Sequence, residues 1–228
     1  MDNEKMKKEA GFLAASFVQN GMTLGLGTGS TAKYFIEKVI KRVQVEGLQI
    51  RAVASSNKSF EQASQGGIQM VDINTLSSID LTVDGADEID DQKRMIKGGG
   101  GALLREKIVA SMSLEMVVIV DESKLVPLLG KRKLPIEVIP FAHKVTLQHI
   151  QKLGFSGNFR KQQEKEDLFI TDNGNYIIDI QFPSPLENPE KEHALLKSIP
   201  GVVETGFFFH LAGRVIIAFK DGQIVVKN

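Results

Sequence analysis

Apolar side chains recur at helical spacing along residues 4–18, where Met6, Ala10, Leu13 and Phe17 share one face, and this pattern predicts an amphipathic helix. A short apolar strand over 22–26 follows, then a glycine-rich turn, then a second helix marked by Phe35, Ile36, Val39, Ile40 and Val43. Further strands are expected over 48–54, 79–83 and 116–120, with helical stretches near 60–64 and over 102–113. Residues 79–83 suit a strand buried on both faces. Strands that alternate with helices in this way build a parallel sheet through right-handed crossovers.

Beyond Asp121 the texture changes. A basic run occupies 131–133, Pro135 and Pro140 bracket a strand over 136–139, and a helix is expected over 144–153. Strands over 167–171 and 176–180 flank Asp172-Asn173-Gly174-Asn175, whose Asn-Gly pair signals a hairpin. A helix over 190–199 stops at Pro200-Gly201. Strands interleaved with two helices suit a small α+β sandwich. The last strands, 215–219 and 224–226 around Asp221-Gly222, are expected to rejoin the first sheet. No internal repeat interrupts this order.

Composition narrows the function classes. With 228 residues, 42% apolar and 25% charged, the chain is of ordinary globular character. Lys plus Arg and Asp plus Glu both number 28, so no long-range field draws it to nucleic acid or to an anionic membrane. Any anion must be recognised locally. The absence of cysteine excludes disulfides, thiolate metal sites and a thiol nucleophile. His143, His149, His193 and His210 are dispersed, so no transition-metal site is expected and proton chemistry falls to carboxylates and lysines. No apolar run is long enough to cross a bilayer and no signal peptide is evident, which leaves a soluble cytoplasmic protein as the expectation.

Three stretches carry candidate chemistry. Gly25-Leu26-Gly27-Thr28-Gly29-Ser30-Thr31 lies between a strand and a helix, where unpaired helix N-terminal amides bind anions and glycines let backbone reach a phosphate. A dinucleotide fingerprint would need glycine at Ser30 and a later acidic residue, where Ala54-Ser55-Ser56 stands instead; a Walker A loop would need Gly-Lys-Ser/Thr. A small phosphorylated ligand fits better, and the plainer alternative is a tight turn with Ser30 or Thr31 as helix N-cap. Asp84-Gly85-Ala86-Asp87-Glu88-Ile89-Asp90-Asp91 follows the strand 79–83. Asp84 and Asp87, nearest the strand end, are candidates for sugar hydroxyl contacts and proton transfer, whereas Glu88, Asp90 and Asp91 read as a solvated acidic turn. Lys97-Gly98-Gly99-Gly100-Gly101 opens the helix that carries Glu106, and four glycines suggest close backbone approach to a ligand. Periodicity does not single out Glu106. Apolar neighbours make it a candidate base, and an ion pair holding it at the surface is an equally open reading.

Taken together, GLGTGSTA, DGADEID and KGGGGALLREKI closely resemble the type A ribose-5-phosphate isomerase family. The likeness continues through 116–125, Glu137-Val138-Ile139-Pro140, Thr171-Asp172-Asn173-Gly174-Asn175 and Ile199-Pro200-Gly201-Val202-Val203. Two departures are local: His143 stands where many relatives carry Arg, and residues 158–165 are unusually polar. The resemblance implies a Rossmann-like α/β catalytic domain over 1–130 and 207–228, with a mostly parallel sheet flanked by helices, and a smaller α+β, ferredoxin-like domain over 131–206. It further implies a cytoplasmic homodimer or homotetramer of the pentose phosphate pathway, needing no metal or other cofactor, whose partner is a sugar phosphate.

The catalytic base implied by the resemblance falls on Glu106, with Asp84, Asp87 and Lys97 assisting. Substrate contacts fall on Thr28, Gly29, Ser30 and Thr31, on Asp84, Gly85, Ala86 and Asp87, on Lys97, Gly98, Gly99 and Gly100, and on Lys124, with Lys7 near the phosphate. Interconversion of aldose and ketose moves a proton between adjacent carbons through an enediolate, which one carboxylate can do. Lys97 and glycine-loop amides would stabilise the oxyanion, Asp84 would assist ring opening, and Asp87 would orient hydroxyls. Two rival activities are implied for the same fold: a sugar-phosphate-sensing module of a transcription regulator, disfavoured by zero net charge, and an acyl-CoA transferase using a glutamate nucleophile.

Overall fold

The structure, a computed structural model, describes residues 1–162 and 166–228. In chain order its elements begin with α1 (Asn3–Ala15), β1 (Thr23–Leu26), α2 (Ser30–Glu46), β2 (Arg51–Ala54), α3 (Asn57–Gln65), β3 (Gln69–Met70) and β4 (Leu81–Asp84). Next come β5 (Glu88–Ile89), β6 (Met95–Ile96), α4 (Leu103–Ser111), β7 (Met116–Asp121) and β8 (Leu134–Val138). The remainder is α5 (His143–Lys152), β9 (Ser156–Phe159), β10 (Tyr176–Gln181), α6 (Pro189–Lys197), β11 (Val202–Thr205), β12 (Phe207–Phe208), β13 (Ala212–Ala218) and β14 (Ile224–Lys227). The chain divides into two compact units, one of residues 1–86, 105–125 and 211–228, the other of 87–104 and 126–210. None of the described helices is long and apolar enough to cross a membrane.

The first unit holds a seven-stranded sheet in the order β14-β13-β7-β4-β1-β2-β3, parallel throughout except where β14 pairs antiparallel with β13. Every residue of β1, β4 and β7 is buried, as expected of strands covered on both faces. Strand alternation divides their side chains. Leu24, Leu26, Leu81, Val83, Val117 and Ile119 pack with Met6, Ala10 and Ala14 of α1 and Phe35, Ile36 and Val39 of α2, whereas Val53 of β2 and Ile79, just ahead of β4, pack with Val109 of α4. Helix α1 stops at Ala15, short of the expected Val18, where the Arg42 guanidinium donates to the Ala15 and Val18 carbonyls at 2.6 and 2.9 Å. Likewise β4 starts at Leu81 rather than at Ile79, because the Asp80 carboxylate accepts from the Thr23 amide at 2.7 Å.

In the second unit the run β8-α5-β9-β10-α6-β11 forms an antiparallel sheet in the order β11-β8-β10-β9, the split βαβ arrangement of ferredoxin-like folds. Ile136, Val138, Ile178 and Ile180 pack against Ile150 of α5 and Leu196 of α6. The strand expected over 167–171 reduces to isolated bridges, Lys161 with Leu168 and Ile170 with Tyr176. Its end is drawn inward. Thr171 Oγ1, Asn173 Nδ2 and Asn175 Nδ2 donate to one oxygen of the buried Glu137 at 3.0, 3.0 and 2.9 Å, and Gly174 takes the turn with φ 77°. Of the polar stretch 158–165, residues 163–165 lie outside the described residues. A separate three-stranded sheet, β12-β6-β5, was not expected; its two-residue strands are too short to show alternation.

Candidate functional site

Within the first unit, the parallel register Leu26 to Ala54 and Leu26 to Val83 aligns the carboxyl ends of β1, β2 and β4, the edge at which open α/β sheets bind ligands. Glycine makes the strands' close approach possible. A Cβ on Gly25 would lie 1.9 Å from Thr82 Oγ1, and one on Gly27 would lie 2.3 Å from the Asp84 carboxyl carbon. Into that space Asp84 turns its carboxylate, buried to 1% exposure, whose Oδ1 accepts from the amides of Thr28 at 3.0 Å and Gly85 at 2.7 Å. Ala86 follows, half-buried.

The loop after β1 is tied from beneath. Ser55 Oγ donates to the Leu26 carbonyl at 3.0 Å and lies 2.8 Å from Thr28 Oγ1, and Ser59 Oγ donates to the Gly27 carbonyl at 2.7 Å. Sequence reasoning missed these serines as supports; their signal was three hydroxyl residues at 55, 56 and 59, directly after a strand parallel to β1. Gly29, with φ 104°, occupies the N-cap of α2 without a side-chain hydrogen bond, so neither Ser30 nor Thr31 caps the helix. Its first amides therefore remain donors aimed along the helix axis, and the Ser30 and Thr31 hydroxyls bond to nothing among the described residues. Lys124 ends a 3₁₀ turn after β7, the strand beside β4. Lys7 is more distant in character: on α1 it pairs with Glu4 at 2.7 Å, and Tyr34 of α2 donates to the same carboxylate at 2.6 Å.

Glu106 lies in the first turn of α4 and is 5% exposed, buried rather than held at the surface. Val109, one turn later on the same helical face, packs onto Gly25, whose Cβ would come within 2.6 Å of it. Glu106 therefore faces β1 from the amino end of α4, where a negative charge is favoured by the helix dipole. Arg105 points elsewhere, donating to Asn57 Oδ1 at 3.0 Å.

In the second unit, the antiparallel pairing of Glu88 with Ile96 places Asp87 and Lys97 at the same end of the β5–β6 hairpin. Asp87 accepts from the Gly99 amide at 2.7 Å, and a Cβ on Gly99 would lie 2.8 Å from its other oxygen. Lys97 is 3% exposed; its amide donates to the Gly206 carbonyl at 2.8 Å, and its ammonium lies 5.4 Å from the centre of the Phe208 ring. Gly98 and Gly101 take φ 100° and 82°, conformations that favour glycine.

The acidic turn is not solvated as expected. Asp91 is exposed, but Glu88 and Asp90 are 1% and 6% exposed. Glu88 accepts from the amides of Gly130, at 2.8 Å, and Arg132; burial pushes its carboxyl above the usual carboxylate range, against the pull of those amides. Asp90 accepts from the amides of Gln92 and Arg94 and pairs with the Arg94 guanidinium at 2.6 Å. Glu88→Ala should cost about 1–3 kcal/mol of stability, because it strands two backbone donors. Urea unfolding measures this; a loss below about 0.5 kcal/mol would show that those amides find other acceptors.

Among the described residues no three His, Cys, Asp or Glu side chains are grouped to hold a metal ion. Residues 51–222 match the family model described as ribose 5-phosphate isomerase A (phosphoriboisomerase A). A ribose-5-phosphate isomerase A from Protochlamydia amoebophila is 54% identical over 219 residues, covering 96% of this chain and 94% of the relative. Its counterpart from Bacillus mycoides is 51% identical, covering 95% and 97%. Among solved structures, a ribose 5-phosphate isomerase from Plasmodium falciparum superposes with a TM-score of 0.94 at 35% identity, covering 99% and 98% of the two chains. A D-ribose-5-phosphate isomerase in complex with phospho-erythronic acid superposes with a TM-score of 0.94 at 37% identity over the whole of both chains.

Proposed function

The chain belongs to the ribose 5-phosphate isomerase A family, and we propose that it interconverts D-ribose 5-phosphate and D-ribulose 5-phosphate with Glu106 as the base that carries the proton between carbon 2 and carbon 1. The observation that carries this assignment is a carboxylate 5% exposed at the amino end of α4, one helical turn before Val109, which packs onto the strand that leads into the glycine loop. A relative that binds phospho-erythronic acid supports a sugar acid phosphate as the kind of ligand recognised. In this reading the uncapped start of α2, with Ser30 and Thr31, receives the phosphate, helped by Lys124 and Lys7. Asp84, oriented by the Thr28 and Gly85 amides, assists opening of the furanose ring. Asp87 orients hydroxyls, and Lys97 with glycine-loop amides holds the oxygen that becomes negative in the enediolate. The protein would act in the cytoplasm as a homodimer or homotetramer.

The test is formation of ribulose 5-phosphate from ribose 5-phosphate after exhaustive chelation. Turnover should persist, since the proposed groups are carboxylates, a lysine and amides. Loss on chelation and recovery with one divalent ion would replace this mechanism with a metal-assisted one.

Thr31→Val should raise KM by about tenfold and change kcat little, because a phosphate contact is made about equally in ground and transition states. Steady-state kinetics separates the two. An unchanged KM with a collapsed kcat would move Thr31 from the phosphate to the reacting end.

A further inference from the structure

Arg160 has no part in the proton transfer, yet its side chain is among the most constrained in the second unit. It follows β9 directly, with its amide donating to the Ile177 carbonyl at 2.8 Å and its carbonyl accepting from Phe169 at 2.9 Å. The guanidinium makes a bidentate pair with Asp179, Nε to Oδ2 at 2.9 Å and Nη2 to Oδ1 at 2.5 Å. Its remaining nitrogen, Nη1, donates to the carbonyls of both Gly98 and Gly99 at 3.0 Å. The guanidinium carbon lies 5.6 Å from the centre of the Phe169 ring, and that ring fills the space where a Cβ on Gly101 would come, 2.4 Å from Cε1.

We propose that Arg160, held by Asp179, is a positioning residue that sets the peptide planes of the glycine loop so that the Gly100 amide is presented to the substrate. This rests on the reading that Lys97 and loop amides hold the substrate oxygen. A peptide unit is planar with its N–H opposite its C=O, so fixing one end fixes the other. Arg160 holds the Gly98 carbonyl, and the same peptide's N–H, on Gly99, goes to Asp87 at 2.7 Å. Arg160 also holds the Gly99 carbonyl, which aims the N–H of exposed Gly100; that amide donates to no group among the described residues. A run of glycines has no side chains to hold such planes in place, and rotation of either would swing the donor away. Lysine cannot substitute: an ammonium lacks the planar fork that serves a carboxylate and two carbonyls at once.

The experiment compares Arg160→Met, Arg160→Lys and Arg160→Ala with the wild type in ribose 5-phosphate isomerisation, following thermal unfolding in parallel. Arg160→Met and Arg160→Lys should both lower kcat by about 10 to 100-fold, as expected for a misplaced donor, with KM within about threefold. Methylguanidinium should restore part of the turnover of Arg160→Ala, where it fits the vacated space, and none of that of Arg160→Met. Folded Met or Lys variants with wild-type kcat overturn the proposal, as does an Arg160→Ala loss that methylguanidinium leaves unchanged. If a variant unfolds, the Ala rescue decides alone. A wild-type protein without isomerase activity defeats the isomerase reading itself, and full activity in Lys97→Met defeats the reading of the loop.

Discussion

Glu106→Gln should nearly eliminate isomerisation while leaving fold and ligand affinity largely intact. The amide keeps the side chain's shape at a position 5% exposed, so packing against β1 changes little, but it cannot accept a carbon-bound proton. General acid–base groups typically supply about 10² to 10⁴-fold, roughly 3 to 5 kcal/mol, and a sole base acting on a weakly acidic C–H bond belongs at the upper end. Glu88 is no control for charge removal, because it is buried with backbone amides on its carboxylate; exposed Asp91 is, and Asp91→Asn should leave kcat nearly unchanged. The decisive measurement is exchange of the carbon 2 proton of ribose 5-phosphate in deuterated water, followed by NMR. If Glu106→Gln still exchanges it near the wild-type rate, the base lies elsewhere and Asp84 or Asp87 becomes the candidate.

Lys97→Met should lower kcat by about 10² to 10³-fold, the typical loss of one donor to a developing oxyanion, with a smaller change in KM. Methionine matches the buried stem and can lie on the Phe208 ring, so the loss isolates the ammonium. Lys97→Arg should not rescue it, since a planar guanidinium needs more room than a residue 3% exposed has around it. Stopped assays of ribulose 5-phosphate suffice to measure both. A Lys97→Met enzyme within about threefold of wild-type kcat would remove Lys97 from the chemistry and leave the amides alone to carry the charge.

The central sheet was legible because its strands are buried on both faces: β7 is a run of apolar residues bounded by polar ones, and the alternation with α2 and α4 points to parallel order. The three candidate stretches were visible as glycine and acidic clusters at strand ends. What stayed hidden depends on distant backbone. Glu88 is satisfied by amides 42 and 44 positions along the chain, and no local pattern records such partners. Strands β5, β6 and β12, at two residues each, fall below the length at which alternation can be read. Arg160 lay in a stretch marked only as polar, and its connection to Gly98 and Gly99 spans about sixty residues of sequence. Its packing beside Phe169, whose ring fills the space over Gly101, is equally a product of distant chain and leaves no local pattern.

Strand β13 has a consequence for how the protein comes off the ribosome. It pairs in parallel with β7 from Val215 through Ala218, and its Ile216 and Ala218 belong to the same core as Leu24, Val83 and Ile119. Yet it is translated after the whole of 126–210, which forms the second unit together with 87–104. During elongation β7, apolar from Met116 to Val120, therefore waits as an open sheet edge while 126–210 are made, so the first unit cannot close before β13 emerges. Slow decoding ahead of residue 212 would lengthen that exposure, and the nascent chain is most in need of a chaperone in that interval.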